Sequence, residues 1–383
     1  MAKNRIIYQS EAVYAGPAAP QGTYVSEIAG GSNPLNLQRV QSVNYGFDVT
    51  RTDVNQFGEL AAIDRVILES PTVSLDFSYY VANFANEDVL GFNINAHNTA
   101  YGSLTSAITN FLDRSKDERN YYVKVVRDGI DAIGALDADR TGTTYSDTIG
   151  IGNAFVTSYS TEASVGDFPT ASVTVEALNI KFDAGTTGNL TPEVNPANGT
   201  AQSTLYYGLP ATAQHATSTT AVKDVSTVRP GDITLDIGLT SEGLAGSTHE
   251  KLGADISDLK VQNYSLSFDL AREPLNKLGS KFAFARVITF PVTVTLSVDA
   301  LLGELADGNL AEVLVDDFAY DTTINMSSGN SKIFMAYVLK NAKLDSHAYS
   351  STIGDNKSVT MNFSAQIGSK AQTTKGLMMS GVK

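Results

Sequence analysis

Val40–Phe77 reads VQSVNYGFDVTRTDVNQFGELAAIDRVILESPTVSLDF, and Val261–Val298 reads VQNYSLSFDLAREPLNKLGSKFAFARVITFPVTVTLSV. Laid together at a constant shift of 221 residues without a gap, they agree at 14 of 38 positions. The identities are Val40, Gln41, Phe47, Asp48, Arg51, Asn55, Gly58, Ala62, Arg65, Val66, Ile67, Thr72, Val73 and Leu75. Ordinary composition gives about two or three. The chain therefore holds roughly the same domain twice, an arrangement suited to symmetric rings or arrays.

A second block repeats in the same order. Asn153-Ala154 pairs with Asn341-Ala342, Ser158 with Ser346 and Gly166-Asp167 with Gly354-Asp355, at a shift of 188. Ser172-Val173-Thr174 pairs with Ser358-Val359-Thr360 at a shift of 186. The first copy has about 33 more residues between its blocks than the second.

Inside the repeat the pattern has a period of two. Tyr45, Phe47 and Val49 alternate with Gly46, Asp48 and Thr50, and Leu266, Phe268 and Leu270 alternate with polar neighbours. Val73, Leu75 and Phe77, like Val294, Leu296 and Val298, do the same. Each copy thus has two strands with one apolar and one polar face. The connections between them, Arg51–Arg65 and Arg272–Arg286, are too long for tight hairpins and equal in length, so contacts of their own are expected.

Helices are expected at Ser103–Leu112 and Leu301–Val315, and a strand at Tyr121–Val126 matched by Ile333–Leu339. Each copy closes with a hairpin, Phe155–Ala163 with Ser172–Leu178 and Lys343–Tyr349 with Ser358–Ala365. The fold class is mostly β (α+β): two tandem β-sandwich or partly open barrel domains, each with one covering helix and a long loop between its first two strands. The expected divisions are an N-terminal arm at 1–39, domains at 40–185 and 255–370, a turn-rich segment at 186–254 and a tail at 371–383. A small hairpin around Thr204–Leu209 and an extra strand at Asp232–Leu239 are possible there.

The formal net charge is −14, and residues 40–185 carry 9 basic against 20 acidic side chains. Such a surface argues against tight binding to nucleic-acid phosphates and suits one that nucleic acid passes without sticking. There is no Cys, hence no disulfide, thiolate nucleophile or zinc-thiolate site. The opening MAKNRIIYQS lacks an apolar stretch, so secretion through a cleaved leader is not expected, and no 18-residue apolar run predicts a membrane span. His97, His215, His249 and His347 show no catalytic spacing. Asp137, Asp139 and Gly142 match half of a calcium loop, but Thr148 stands where its bidentate glutamate belongs. No phosphate-binding loop, nucleophile elbow or zinc-helix motif occurs, so neither an enzyme nor a cofactor is expected.

The two strand–long loop–strand units and their closing hairpins, NAFVTSYSTEASVGDFPTASVTVEAL and NAKLDSHAYSSTIGDNKSVTMNFSAQ, give the chain its likeness. In element order it resembles the tail tube proteins of long-tailed bacteriophages, of the kind with two tube domains in one chain. The resemblance covers most of 40–180 and 255–368 and rests on no short diagnostic motif. It implies that six domains, from three chains, form a pseudo-hexameric ring whose strands join edge to edge, and that rings stack into a conduit for DNA ejection. It places Asp48, Asp76, Glu176 and Asp269 on the lumen. It makes Arg51, Asn55, Arg65, Arg272, Asn276 and Arg286 candidates for contacts between rings. The implied partners are copies of the chain, the tape measure, the tail terminator and the baseplate or tip, in a virion assembled in the host cytoplasm. DNA would pass without specific binding. The competing reading is a tandem β-sandwich adhesin or carbohydrate-binding virion protein.

Overall fold

The computed structural model describes residues 11–18, 34–96, 99, 101–113, 116–126, 132–133, 147–183, 189–196, 199, 207–208, 227–239, 260–302, 319–328, 332–352 and 356–382. The first copy supplies β1 (Glu11–Pro17), β2 (Leu35–Asn36), β3 (Val40–Asp48), β4 (Thr52–Val54), β5 (Asp64–Val66), β6 (Thr72–Tyr80) and α1 (Ala85–Leu90). It continues with β7 (Ile94–Ala96), α2 (Thr109–Leu112), β8 (Arg119–Val125), β9 (Asp147–Ser164), β10 (Thr170–Ala177) and β11 (Asn179–Asp183). A small hairpin follows, β12 (Asn189–Leu190) with β13 (Tyr207–Gly208). The second copy supplies β14 (Ile233–Leu239), β15 (Lys260–Asp269), β16 (Arg272–Leu275), β17 (Ala285–Ile288) and β18 (Thr293–Leu301). It ends with β19 (Tyr320–Ser328), β20 (Lys332–Ser350), β21 (Ser358–Gln366) and β22 (Gly376–Gly381).

One antiparallel inner sheet runs through both copies in the order β3-β6-β10-β9-β15-β18-β21-β20. It does not close into a barrel. Its apolar side holds Val73, Leu75 and Phe77 from the first copy and Val294, Leu296 and Val298 from the second, all buried, while the alternate residues are polar. That is the outcome the period of two dictates when one face is packed. The layer beneath contains the sheet β1-β8-β9-β11 on one side and β14-β19-β20-β22 on the other. One large apolar core threads both copies, beside two smaller buried clusters.

The long strands β9 and β20 each belong to both layers. Residues 147–154 of β9 pair with β8 and 148–152 with β11, while 155–164 pair with β10 and β15. β20 divides likewise between β19 and β21. At the crossing stands an asparagine with left-handed backbone, Asn153 (φ 54°) or Asn341 (φ 59°). Asparagine tolerates this conformation because its short polar side chain bonds locally. The freed Asn153 N–H donates to Asn120 Oδ1 at 3.2 Å, and that of Asn341 to Asp321 Oδ1 at 2.8 Å, in equivalent positions. Asn153 also donates to Glu118 Oε1 (2.6 Å) and accepts from the Val194 N–H (2.8 Å). Asn153→Ala therefore removes two side-chain hydrogen bonds and leaves a left-handed alanine, at a cost of about 2 kcal/mol or more. Urea denaturation checks this, and Asn341→Ala, with fewer bonds to lose, costs less.

The structure corrects several expectations. The counterpart of β8 is β19, not Ile333–Leu339, which forms part of β20 and answers to the first half of β9. Thr174 and Asn362 lie opposite Ser158 and Ser346 respectively, so the closing hairpins correspond at 188 throughout. The shift of 186 slips one strand by two residues, which preserves its faces and hides the error. Residues 1–39 contain a buried strand, β1, whose counterpart on β19 is β14; the extra strand expected at Asp232–Leu239 is thus part of the repeat. The segment 371–383 holds β22, with Leu377, Met378 and Met379 fully buried, pairing β20 and, in parallel, β7. The helix expected at Ser103–Leu112 is reduced to Thr109–Leu112, and α1, which Asn86, Glu87 and Asp88 disguised as polar loop, lies upstream. Leu301 ends β18, while most of the second expected helix (303–315) lies outside the described residues, as do Asp137 and Asp139 and three of the four histidines.

Candidate functional site

The joint between the copies is a run of seven strand pairs between β15 and β9. Asp269 lies opposite Ser158, Phe268 opposite Tyr159, Leu266 opposite Thr161 and Asn263 opposite Ser164. Phe268 packs on Tyr159 with ring centroids 5.7 Å apart and on Phe92 at 6.1 Å. Just beyond the strand, the Leu270 N–H donates to the Thr157 carbonyl at 2.7 Å.

The joint is head-to-tail. β15 is the counterpart of β3, and the second half of β9 is the counterpart of Lys343–Ser350 in β20. Those two counterparts form opposite margins of the inner sheet. Among the described residues, β3 has one strand neighbour, β6, and Lys343–Ser350 has one, β21. Burial differs accordingly. Phe268 is 3% exposed, and Phe47 in the same place is 62% exposed. A large aromatic on the core side of an unpaired edge is a surface built for cover.

The long loops are β-hairpin arms with identical register: Asp53 lies opposite Arg65 in β4–β5, and Pro274 opposite Arg286 in β16–β17. The second arm folds over the first copy. Arg272 donates to Asp117 Oδ1 at 2.7 Å and to the Val156 carbonyl at 3.4 Å, with its side chain 2% exposed. Arg286 forms an ion pair with Glu176 at 2.6 Å, and the Phe155 ring lies 4.8 Å from the Arg272 guanidinium and 5.9 Å from that of Arg286. The first arm projects without such a seat. Ile67 is 43% exposed against 8% for Ile288, and Phe57 and Leu60 are fully exposed. Arg65 donates to Asp53 of its own arm at 2.6 Å.

The expected ring-contact residues thus divide. Arg272 and Arg286 are spent inside the chain on Asp117 and Glu176, whereas Arg51, Asn55 and Arg65, with Asn276 at the second arm's tip, are exposed. Periodicity could not reveal this, because the partners come from another copy and lie 155 and 110 residues away.

The polar face carries the expected lumen residues. Asp76, Thr174, Ser158 and Asp269 occupy one lateral row across four strands, with Asn44 continuing it on β3. The two carboxylates are about 14 Å apart at the usual strand spacing. Asp48 lies at the margin opposite Thr72, and Glu176 is drawn into the arm's ion pair. Hydroxyls fill the face between them, some paired across strands, as Ser42 with Ser78 (2.6 Å) and Ser267 with Thr295 (3.0 Å).

Beneath the joint lies a polar cluster that sequence reasoning missed. The Glu87 carboxyl is fully buried and accepts from Tyr79 (2.8 Å) and Tyr159 (2.9 Å) through Oε1. Tyr159 spends its proton on Glu87, so Tyr337, from the second copy, donates to Tyr159 at 2.8 Å. Desolvation raises the Glu87 pKa to about 7, against a smaller opposing effect of a backbone hydrogen bond and of those from the two tyrosines. Burial raises all three tyrosines well above the ordinary phenol range, so they stay neutral.

Among the described residues no group of three or more His, Asp or Glu is placed to hold a metal ion, and no helix is long and apolar enough to cross a membrane. No protein-family model and no curated protein sequence matches the chain. Among solved structures, a chain from the cryo-EM structure of the anti-feeding prophage baseplate, 6-fold symmetrised, is similar at a TM-score of 0.28 with 11% identity. The similarity covers 48% of this chain and 97% of that one. A chain of the native gene transfer agent virion gives a TM-score of 0.24 and 12% identity, over 40% and 98% respectively. At these scores the likeness carries no weight for function.

Proposed function

We propose that the chain is a structural subunit of a bacteriophage tail tube, with an assembly role and no catalytic one. The observation that carries this reading is the internal head-to-tail joint, whose two edges recur, among the described residues, without a partner strand at the margins of the same chain. A heterologous joint of this kind continues from chain to chain and ends only by closing into a ring. Three chains supply six copies, the number the resemblance to tail tube proteins implies. Closure would leave the inner sheet no open edge, and the polar face would line the lumen. Its carboxylates repel phosphate and its hydroxyls carry no positive charge to hold it, which suits a conduit for DNA. The exposed arm would reach the next ring, and further virion proteins would cap the stack.

The test uses the Leu270 hydrogen bond. Val49, its counterpart, lies just outside the β3–β6 ladder, so Val49→Pro removes a donor for the next chain and leaves the intrachain strand pairs intact. In negative-stain microscopy at rising concentration, the wild type forms rings or hollow tubes, and Val49→Pro stays dispersed with an unchanged thermal melt. Normal tubes from the variant would reject strand pairing between chains.

A further inference from the structure

Resting on the ring reading, we infer the register of the joint between chains and the charged residues that distinguish it from the joint inside the chain. Transferring the observed β15–β9 pairs by the two repeat shifts places Asp48 of one chain opposite Ser346 of the next, Phe47 opposite His347, Tyr45 opposite Tyr349 and Asn44 opposite Ser350. The transfer is sound at this point because both receiving strands carry the same irregularity. β9 skips Thr157 in pairing with β10, and β20 skips Asp345 in pairing with β21. Phe47 then packs against His347 as Phe268 packs against Tyr159.

The arm's seat is not a copy. Where Arg272 and Arg286 lie over Phe155, the transferred position is Lys343, and Ser364 replaces Glu176. An arm like the second one would bring two guanidiniums onto an ammonium. The first arm carries the same two arginines, Arg51 and Arg65, but offsets them with Asp53 where Pro274 is, bonded to Arg65, and with Asp64 where Ala285 is. The Asp53 carboxylate thus arrives beside Lys343. The seat between chains takes an arm of net charge −1 over residues 51–65, while the seat within the chain takes one of +3 over 272–286, whose single carboxylate is Glu273. This pairing selects β3 of a second copy for the open margin of β20.

The chain has no cysteine, so the register can be read by cross-linking. Full-length protein carrying Asp48→Cys and Ser346→Cys gives, under mild oxidation, a ladder of disulfide-linked oligomers ending at three chains. The pair Asp48→Cys and Ser350→Cys, four residues out of register and too far apart to bridge, gives none. Charge exchange tests the pairing: Lys343→Glu and Asp53→Lys each raise the concentration for half-assembly tenfold or more, and the double exchange returns it to within about threefold of wild type. Thermal melts confirm that each variant folds. Efficient linking of the out-of-register pair overturns the register. Assembly indifferent to the charge exchanges, or not rescued by the double variant, overturns the pairing while the ring reading stands. A wild-type chain that never self-associates overturns the ring reading and both inferences with it.

Discussion

Phe268→Ala is expected to lower the stability of the isolated chain by about 3–5 kcal/mol, and Phe47→Ala, at the equivalent position, by less than about 1 kcal/mol. The difference follows from burial. Phe268 is packed between Tyr159 and Phe92 in the shared core, so its removal leaves a cavity; Phe47 is mostly in solvent and leaves none. The effects reverse for assembly. Covering the exposed part of Phe47 removes about 100 Å² from water, worth about 2 kcal/mol per joint, or roughly thirtyfold in the association constant. Phe47→Ala should therefore melt like the wild type and fail to form rings at concentrations where the wild type is fully assembled. Urea denaturation and sedimentation velocity measure the two halves. Equal destabilisation by both substitutions would show that β3 is already covered within the chain.

The second expected result concerns pH. The Glu87 carboxyl has a pKa of about 7 in the folded chain and an ordinary value of 4.5 when exposed. Between these values the folded state holds more protons than the unfolded state, so stability falls as pH rises. The contribution is fully present below pH 4.5 and lost as pH passes through 7. The whole span is about 3 kcal/mol, of which about 2 kcal/mol lies between pH 5.5 and 8, above the isoelectric point of about 4.7. The groups bonded around the carboxyl are Tyr79, Tyr159 and, through it, Tyr337, all neutral across this range, and among the described residues no cation is bonded to it. Urea denaturation of the wild type should show this slope and Glu87→Gln should flatten it. The cluster joins α1, β6 and β9 of the first copy to β20 of the second, so raising the pH loosens the packing between copies first. Parallel slopes in wild type and variant would reject Glu87 as the source.

Much of the inner sheet was legible because its causes are local. A period of two in Tyr45–Val49, Val73–Phe77 and their counterparts fixes which side chains face the core. The equal length of the two long connections reflects two arms with one register. The outer layer was legible only in part: strands at β8, β14 and Ile333–Leu339 were expected, whereas β1, α1 and β22 were not. β1 lies in a stretch punctuated by Gly16-Pro17, and its burial depends on β8, about a hundred residues away. α1 carries Glu87, whose residue type signals solvent and whose place in the core exists only because two distant tyrosines donate to it. His347 and Tyr159 sit at equivalent positions, yet the tyrosine is buried by the neighbouring copy and the histidine stands at a margin.

The sequence by itself determined that this protein is a tandem repeat of β-rich copies, since repetition and alternation survive in one dimension. It also determined the polar, carboxylate-bearing face and the absence of thiol chemistry. Only the tertiary structure decided that the copies join head-to-tail, that Arg272 and Arg286 close the internal seat, and that β3 and the end of β20 are left, among the described residues, as its unmatched halves. Strand alternation records which face of a residue is buried, but the neighbour across an edge is chosen by backbone hydrogen bonds, which every sequence offers alike.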